Sequence, residues 1–409
     1  MALRTRNAVV LAKIEPVEGQ DAGPIPGTDA ILVENPQPNF NPNVIETDEV
    51  TASLDGAGPI VGGMTAELSF DVLLKGSGGA ASVPEFGDLI KACGWAETIT
   101  GTAIPATPEA TGSGSTTIAV VLGTSASGVD QVYRGMPLDL TGAPAALTFI
   151  SDYAGGSKTA MITDLLGSAP TAGGTLYQIP ANVLYAPAST SIPSLTLYLY
   201  LDGILYKLAG CRGSFNLSLN SGGIGRFSFT FQGVFLSKTD AAVPAATYDA
   251  TRPSPFKGGA MLVDRKAAAL ENLSLDVGNE QTFPDNPNAA EGFDPSIITR
   301  RNVTGSINPL ETLITTRDIM ADFRAGTQRI VHARYGGTAG NRVGVTVPGA
   351  LYTGQTPGDR SGLATVEVPF SAVGRDAGRF FASISPCPDC RAPSDLEDYI
   401  KGVGHNCST

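Results

Sequence analysis

Apolar and polar residues alternate in several stretches of the chain, which is the spacing of β-strands that bury one face. The first clear stretch, residues 64–74, has an apolar residue at every second position: Leu68, Phe70, Val72 and Leu74. A second stretch, residues 213–235, has three phenylalanines with the same spacing: Phe227, Phe229 and Phe231. The two patterns predict a strand and a half-buried hairpin in the first half of the chain.

Two short helices are predicted by apolar residues at helical spacing. The first has one apolar stripe, namely Phe86, Leu89, Ile90 and Cys93. It ends at Gly94, and Ser82 and Glu85 have the spacing of a capping box at its start. The second helix ends at Gly326 and has Thr315 or Thr316 as its cap. Its expected buried residues are Ile319, Met320 and Phe323.

The same order of elements occurs in both halves of the chain. In the first half, the strand at 64–74 is followed by the helix, a strand around 196–201 and the hairpin at 213–235. In the second half, a strand at 303–310 is followed by the helix, a strand from Arg329 and a hairpin at 343–370. The last hairpin is expected to pair one apolar set with another: Val343, Val345 and Val347 with Val366, Val368 and Phe370. We interpret the two series as tandem copies of one β-rich unit.

Residues 106–182 interrupt the first unit. They begin with a Gly/Ser-rich segment and contain short strand-like runs separated by Gly, Ser and Pro turns, which predicts a small inserted β-domain. The expected divisions of the chain are a first unit at 1–105 and 183–240, a linker at 241–258, a second unit at 259–383 and a tail at 384–409. The first unit begins with an N-terminal arm, rich in Pro, Gly and Asn, which is expected to order against a neighbour.

The composition agrees with a mainly β protein. The chain has 409 residues, of which 42% are hydrophobic and 16% charged, and its 49 glycines and 29 prolines supply many turns. The net charge of −12 opposes tight binding to a phosphate backbone. No apolar run reaches the roughly 18 residues of a membrane span, and the start has too short an apolar core for a secretion signal. Five cysteines are too few for a disulfide framework, so folding in a reducing cytoplasm is expected.

The candidate chemistry is confined to the tail. We predict no catalytic residues and no required cofactor, and His332, which lies in a predicted strand, is expected to be structural. In the tail, Cys387 and Cys390 form a CxxC pair that is followed by His405 and Cys407. This set has nearly the spacing of a structural zinc site. The alternatives are a loose tail with free thiols and a disulfide that forms outside the cell.

Three segments resemble the corresponding stretches of phage tail tube proteins, the major tail proteins of long-tailed phages (siphoviruses). They read LSFDVLLKGSGG…VPEFGDLIKACGW, YAPAS…SLTLYLYLDGILYKLAGCRGSFNLSLNSGGIGRFSFTFQG and TRRNVTGSINPLE…TRDIMADFRAGTQ. The resemblance covers most of the chain outside residues 106–182 and the last two dozen residues.

The resemblance implies a structural virion protein without enzymatic activity, built from two tandem β-sandwich or barrel units that each have a flanking helix. Sheets of adjacent copies would join edge to edge into a closed barrel, and the rings would stack into the tail tube, the conduit for genome ejection. Duplex DNA would then pass through the lumen without specific binding, and the inserted domain would face outward. The resemblance also implies a tape measure protein inside the tube and terminator and tip proteins at its ends. It places the protein in the virion tail, assembled in the host cytoplasm, with no membrane partner.

The number of chains in a ring follows from the number of units. A lone sheet has open edges that favour aggregation, and closing the ring removes them. With two units per chain, three chains give a pseudo-hexameric ring, which matches the usual six-unit wall of the family. We therefore expect a homotrimer, with a homohexamer as the alternative. A protein of another class, a modular surface adhesin or a virion decoration protein, would also be β-rich, but it would not explain the repeated order of elements.

Overall fold

The computed structural model describes residues 4–47, 49–50, 58–79, 81–336 and 340–374, together with the backbone of residues 383–384. The described chain consists mainly of antiparallel strands, with two short helices. The mainly β class predicted from the sequence is therefore confirmed.

The first elements are β1 (Ala8–Ile14), β2 (Ala30–Ile31), β3 (Glu34–Ile45), β4 (Ile60–Leu73), α1 (Gly87–Ala92) and β5 (Trp95–Thr100). The next six are β6 (Ile104–Ala110), β7 (Ala119–Val121), β8 (Pro137–Gly142), β9 (Ala146–Ala154), β10 (Thr159–Ile162) and β11 (Thr175–Ile179). They are followed by β12 (Asn182–Pro187), β13 (Leu195–Leu201), β14 (Ile204–Asn220) and β15 (Arg226–Asp240).

The second half of the chain contains the remaining elements. They begin with β16 (Ala260–Val263), β17 (Lys266–Ala267), β18 (Leu270–Asp276), β19 (Asn279–Thr282), β20 (Ile297–Arg301) and β21 (Thr304–Pro309). The last are α2 (Ile319–Ala325), β22 (Gln328–Tyr335), β23 (Val343–Tyr352), β24 (Thr356–Arg360), β25 (Leu363–Ala372) and β26 (Ser383–Ile384).

Six strands of the first half pair in the order β1, β13, β14, β15, β4 and β3. The period-two alternation of β15 places its phenylalanines on one face, where the ring centroid of Phe229 lies 6.0 Å from that of Phe70 and 5.7 Å from that of Phe231. The residue before α1, Phe86, contacts this face with its ring centroid 5.1 Å from that of Phe227. The core of the first half therefore lies between the sheet and α1.

The strands of the second half pair in the matching order β16, β22, β23, β25, β21 and β18. β24 pairs with the first residues of β25, beyond the part of β25 that pairs with β23. The correspondence extends to the outer ends of two hairpins. Val44 pairs with Val61 and Ile45 with Ile60 in the β3–β4 hairpin, while Gln281 pairs with Ile298 and Thr282 with Ile297 in the β19–β20 hairpin. In both hairpins the register shifts just before these pairs.

One strand pairing connects the two halves. Residues 216–220 of β14 pair with residues 272–276 of β18, so that Leu217 lies opposite Leu275 and Leu219 opposite Leu273. All four side chains are buried. The two halves thus share a continuous sheet and a common core.

A separate six-stranded sheet, in the order β6, β11, β8, β9, β10 and β7, is inserted between β5 and β12, which pair with each other. It has its own apolar core, which includes Tyr153 and Tyr177. The sheet contacts the second half of the chain, where the guanidinium of Arg334 binds both carboxylate oxygens of Asp164 at 2.7 and 2.8 Å.

The N-terminal arm was expected to order against a neighbour, and for β1 that expectation is wrong. β1 pairs along its whole length with β13 of the same chain, and Val10 and Leu11 are fully buried. Successive apolar residues at 9–12 fill both faces of the strand, and this burial within the chain stabilises the arm.

The helices differ from expectation at their starts and in one buried face. α1 begins after Phe86 without a side-chain cap, because Glu85 lies 3.1 Å from the Lys75 ammonium instead. α2 is capped by Asp318, which accepts a hydrogen bond from the Ala321 amide at 2.8 Å, rather than by a threonine. Ile319 is buried, but the prediction was wrong for Met320 and Phe323, which are 47% and 38% exposed.

The predicted register of the last hairpin is also wrong. Val345 and Val347 pair with β22, opposite Ala333 and Val331, and not with Val366 and Val368. The segment between β23 and β25 contains β24, which pairs with β25 at Val366 in place of β23.

Candidate assembly surfaces

The pairing of β14 with β18 produces one sheet that runs through both halves in the order β3, β4, β15, β14, β18, β21, β25 and β24. One face of this sheet is apolar and buried. Its core side chains include Phe70, Phe229, Leu217, Leu275, Ile307 and Val368. The opposite face is a candidate surface for contact with solvent or a passing polymer.

Short polar side chains dominate that opposite face. The residues on its central strands, which are exposed or half-exposed, are Ser69, Asn216, Ser218, Asn220, Ser228, Thr230, Asn272, Ser274, Thr304 and Ser306. Three acids stand among them: Glu67, Asp71 and Asp276. Ser228 donates a hydrogen bond to Asp71 at 2.6 Å, and Arg226 is paired with Glu34 at 2.6 Å. The face, which we call the polar sheet face, is therefore acidic and poor in cations.

Each end of this sheet has an open edge in the part of the chain that the structure describes. There, β3 pairs with β4 alone and β24 with β25 alone. Pro38 and Pro42 lie an even number of positions apart, so their backbone nitrogens point to the same edge of β3. That edge faces away from β4, and it lacks two N–H donors because proline has none. Prolines at such an edge protect a sheet from unspecific pairing.

The β19–β20 hairpin lies on the first half of the same chain, at the end of α1. Asn279 Nδ2 donates to the carbonyls of Cys93 and Gly213 at 2.8 and 2.9 Å. Arg301 donates to the carbonyls of Gly94 and Ala188 at 2.6 and 2.7 Å. Gly94 has a φ of 81° and ends α1 in the left-handed region that suits glycine.

Among the described residues, the equivalent hairpin of the first half does not lie on the end of a helix; near its base, the Met64 N–H donates to Glu291 Oε2 of the same chain at 2.9 Å. The outer end of the β3–β4 hairpin (residues 42–45 and 60–64), which we call the first hairpin end, presents four exposed aliphatic side chains. They are Val44, Ile45, Ile60 and Val61, with Val61 61% exposed. Exposed apolar groups clustered in this way indicate a contact surface.

A cavity of about 480 Å³ lies between the end of β4, residues 32–34 and linker residues 248–253. At its wall, the Lys75 ammonium lies 3.1 Å from Glu85 and donates to the backbone carbonyl of Asp249 at 3.0 Å. Burial raises the pKa of Glu85, and the charge of Lys75 opposes that rise. These contacts hold the linker against the first half, which gives the cluster a structural role.

The predicted metal ligands lie outside the described residues, namely Cys387, Cys390, His405 and Cys407. Among the residues that are described, no cluster of three or more potential ligands could hold a metal ion. Cys93 and Cys211 are buried free thiols. His332 is fully buried against Phe149, with ring centroids 4.7 Å apart, and its structural role matches the expectation.

Sequence reasoning missed two strands that matter for these surfaces. They are β19 and β24, which lie in polar segments without apolar alternation. A weak signal existed for β24, because Gly362 is suited to the turn that returns β25 beside it. The alternate prolines of β3 are also the signature of an edge strand.

Two open sheet edges and an exposed apolar hairpin are features that favour self-association. They occur here in a mainly β chain that also has an acidic polar sheet face. The family model described as phage tail tube protein matches residues 5–372, and the chain belongs to this family. It is a structural protein of the virion tail, and membership implies self-assembly into a tube. No curated protein matches the chain, and no helix among the described residues is long and apolar enough to cross a membrane.

Proposed function

We propose that three chains associate head to tail into a ring with six quasi-equivalent units, and that the rings stack into the tube through which a siphovirus genome is ejected. The observation that carries the proposal is the pairing of β14 with β18. It joins an edge of one half to an edge of the other, and the same two kinds of edge stay open at β24 and β3. Between chains, β24 would lie beside β3 of the next copy. Pro38 and Pro42 supply no N–H donors at that joint, so carbonyl acceptors and side chains of β3 would contribute more to it.

The ring proposal predicts a single-ring mass of three chains and a threefold or pseudo-sixfold end-on view. Native mass measurement of isolated rings and rotational averaging of electron micrographs would test it. Rings of six chains would favour the homohexamer and leave the tube function intact. Protein that stays monomeric at high concentration would contradict the proposed function itself.

We also propose that the two halves are tandem copies of one unit, with residues 106–182 as an inserted domain on the tube exterior. The support is the matching strand order and the position of the inserted sheet, whose Phe149 packs on β22 and β23 at His332 and Gly344, away from the polar sheet face. Replacing residues 110–181 with a short Gly/Ser linker should leave tube formation intact. Failure of a folded deletion variant to assemble would contradict this assignment.

The polar sheet face is proposed to line the lumen. Glu67, Asp71 and Asp276 would then repel a phosphate backbone, so that duplex DNA passes without sticking. We expect no salt-sensitive DNA binding by assembled tubes, whereas changing the three acids to lysine should create binding that weakens steeply with added salt. Filter binding on tubes at several salt concentrations measures this. Salt-dependent binding by the unmodified tube would contradict the lumen assignment.

Other proposed partners follow from the family: a tape measure protein inside the tube, terminator and tip proteins at its ends, and assembly in the host cytoplasm. We further propose that Cys387, Cys390, His405 and Cys407 bind a structural zinc ion. Elemental analysis of protein purified without chelator tests that site, and zinc well below one ion per chain would reject it. An adhesin is not favoured, because the family match covers most of the chain.

A further inference from the structure

We infer that the first hairpin end of one chain docks on α2 of the neighbouring chain in the ring. The inference rests on the proposed ring and names the surfaces that close it. It starts from two apolar surfaces of the same chain whose side chains are exposed to solvent. One is the first hairpin end, and the other comprises Leu313, Ile314, Met320 and Phe323 at α2, with Leu313 79% exposed.

The chain itself contains the template for this contact. Ile298 of the β19–β20 hairpin lies beside the glycine that ends α1: its Cδ1 is 3.5 Å from the position of a Cβ built on Gly94. By strand register, Val61 holds the place of Ile298, and Ile60 that of Ile297. The glycine that ends α2 is Gly326, with a φ of 63°. Repeating the contact between chains brings Val61 to the C-terminal end of α2.

The two contacts differ in polarity on both sides at once. Within the chain, the hairpin residues at the contact are polar, namely Asn279 and Arg301. The α1 residues three and six positions before Gly94 are Lys91 and Asp88, which form an ion pair at 2.7 Å. Between chains, the register places Pro42 and Met64 at the hairpin positions. The α2 residues three and six positions before Gly326 are Phe323 and Met320. An apolar hairpin thus faces an apolar helix, which stabilises association by removing both surfaces from water.

Charge supports the same occupant. Glu46 and Glu49, both exposed, follow directly on the first hairpin end, and Arg324 is exposed in the last turn of α2. A second copy of this chain therefore offers α2 both the apolar side chains and acids for the neighbouring cation. Rim charges of this kind favour the correct orientation of partners more than they add affinity.

The test uses the full chain with Val61→Asp or Phe323→Asp. Both side chains are exposed, so each variant should keep the thermal stability of the unmodified subunit, yet need about tenfold or more protein to assemble, because a charge would be buried in the joint. Val129→Asp, at an equally exposed valine of the inserted region (63%), is the matched control and should assemble normally. Sedimentation velocity provides the measurement.

An equimolar mixture of the two variants gives a sharper result. One intact helix and one intact hairpin remain between a Val61→Asp chain and a Phe323→Asp chain, so the mixture should form dimers and no rings. Assembly of both single variants at the unmodified concentration would overturn the inference while leaving the tube function in place. If the unmodified chain itself failed to assemble, the proposed function would fall instead.

Discussion

Acidification from pH 7 to pH 4 is expected to lower the free energy of unfolding by about 3 kcal/mol through His332 alone. His332 is fully buried between β22 and the inserted sheet, where its Nδ1 lies 2.8 Å from the Thr346 hydroxyl. Burial and the nearby charge of Arg334 lower its pKa to about 3, although Asp164 opposes this. The unfolded chain binds a proton near pH 6.5, and the folded chain does not. The stabilisation is therefore complete above pH 6.5 and is lost progressively as the pH falls towards 3.

The neighbouring ion pair acts in the same direction at lower pH. Burial alone would raise the pKa of Asp164, but the charge and hydrogen bonds of Arg334 lower it below its usual range. A carboxylate of this kind contributes stability above the unfolded pKa near 3.8 and loses it as the pH falls further. Acid should therefore first weaken the contact between the inserted sheet and the second half of the chain.

Calorimetric melting of the unmodified chain and of His332→Gln at pH 7, 5.5 and 4 would separate this effect from general acid denaturation. The glutamine variant has no group that titrates at this position, so its melting temperature should fall less between pH 7 and pH 4. Parallel curves for the two proteins would contradict the assignment to His332.

Phe229→Ala is expected to lower the free energy of unfolding by about 3–5 kcal/mol. The ring of Phe229 is 1% exposed, and its centroid lies 5.6 Å from those of both Phe215 and Phe227. Removing it leaves a cavity in the middle of an aromatic cluster that the sheet and α1 enclose. Urea unfolding at equilibrium measures the loss.

Ser228→Ala is the matched control, one residue away on the opposite face. Its hydroxyl is exposed and donates to Asp71, so the change should alter stability by no more than about 1 kcal/mol. Similar losses for the two variants would mean that the faces of β15 are not divided into core and surface as described.

The strands with strict alternation could be predicted from the sequence, because the side-chain period reports directly which face is buried. Residues 227–231 and 68–74 are examples, and so is the apolar stripe of α1. The stripe of α2 looked similar, but Met320 and Phe323 are exposed. Helical spacing shows that a face is apolar, and it does not show whether the same chain covers that face.

The open edges and the short strands could not be predicted in the same way. Thr356–Arg360 contains Pro357 and Gly358 and no apolar alternation, and it forms β24 only because β25 returns beside it after Gly362. The joint between β14 and β18 pairs two segments on either side of the linker. Local sequence patterns do not show which distant strands pair, so this joint could not be predicted from them. The tail ligands Cys387, Cys390, His405 and Cys407 stay a prediction.

The joint between β14 and β18 has a kinetic consequence for a ring of three chains. Half of the six joints in such a ring are already made when a chain folds, because the linker keeps the two halves at high effective concentration. Only the other half must form by diffusional encounter, with the loss of translational and rotational freedom that each encounter entails. Ring formation should thus depend on subunit concentration as a three-body process rather than a six-body one. The two kinds of joint are formed by different residues and can diverge in sequence. The joint within a chain can then evolve for stability, and the joint between chains for the rate of ring formation.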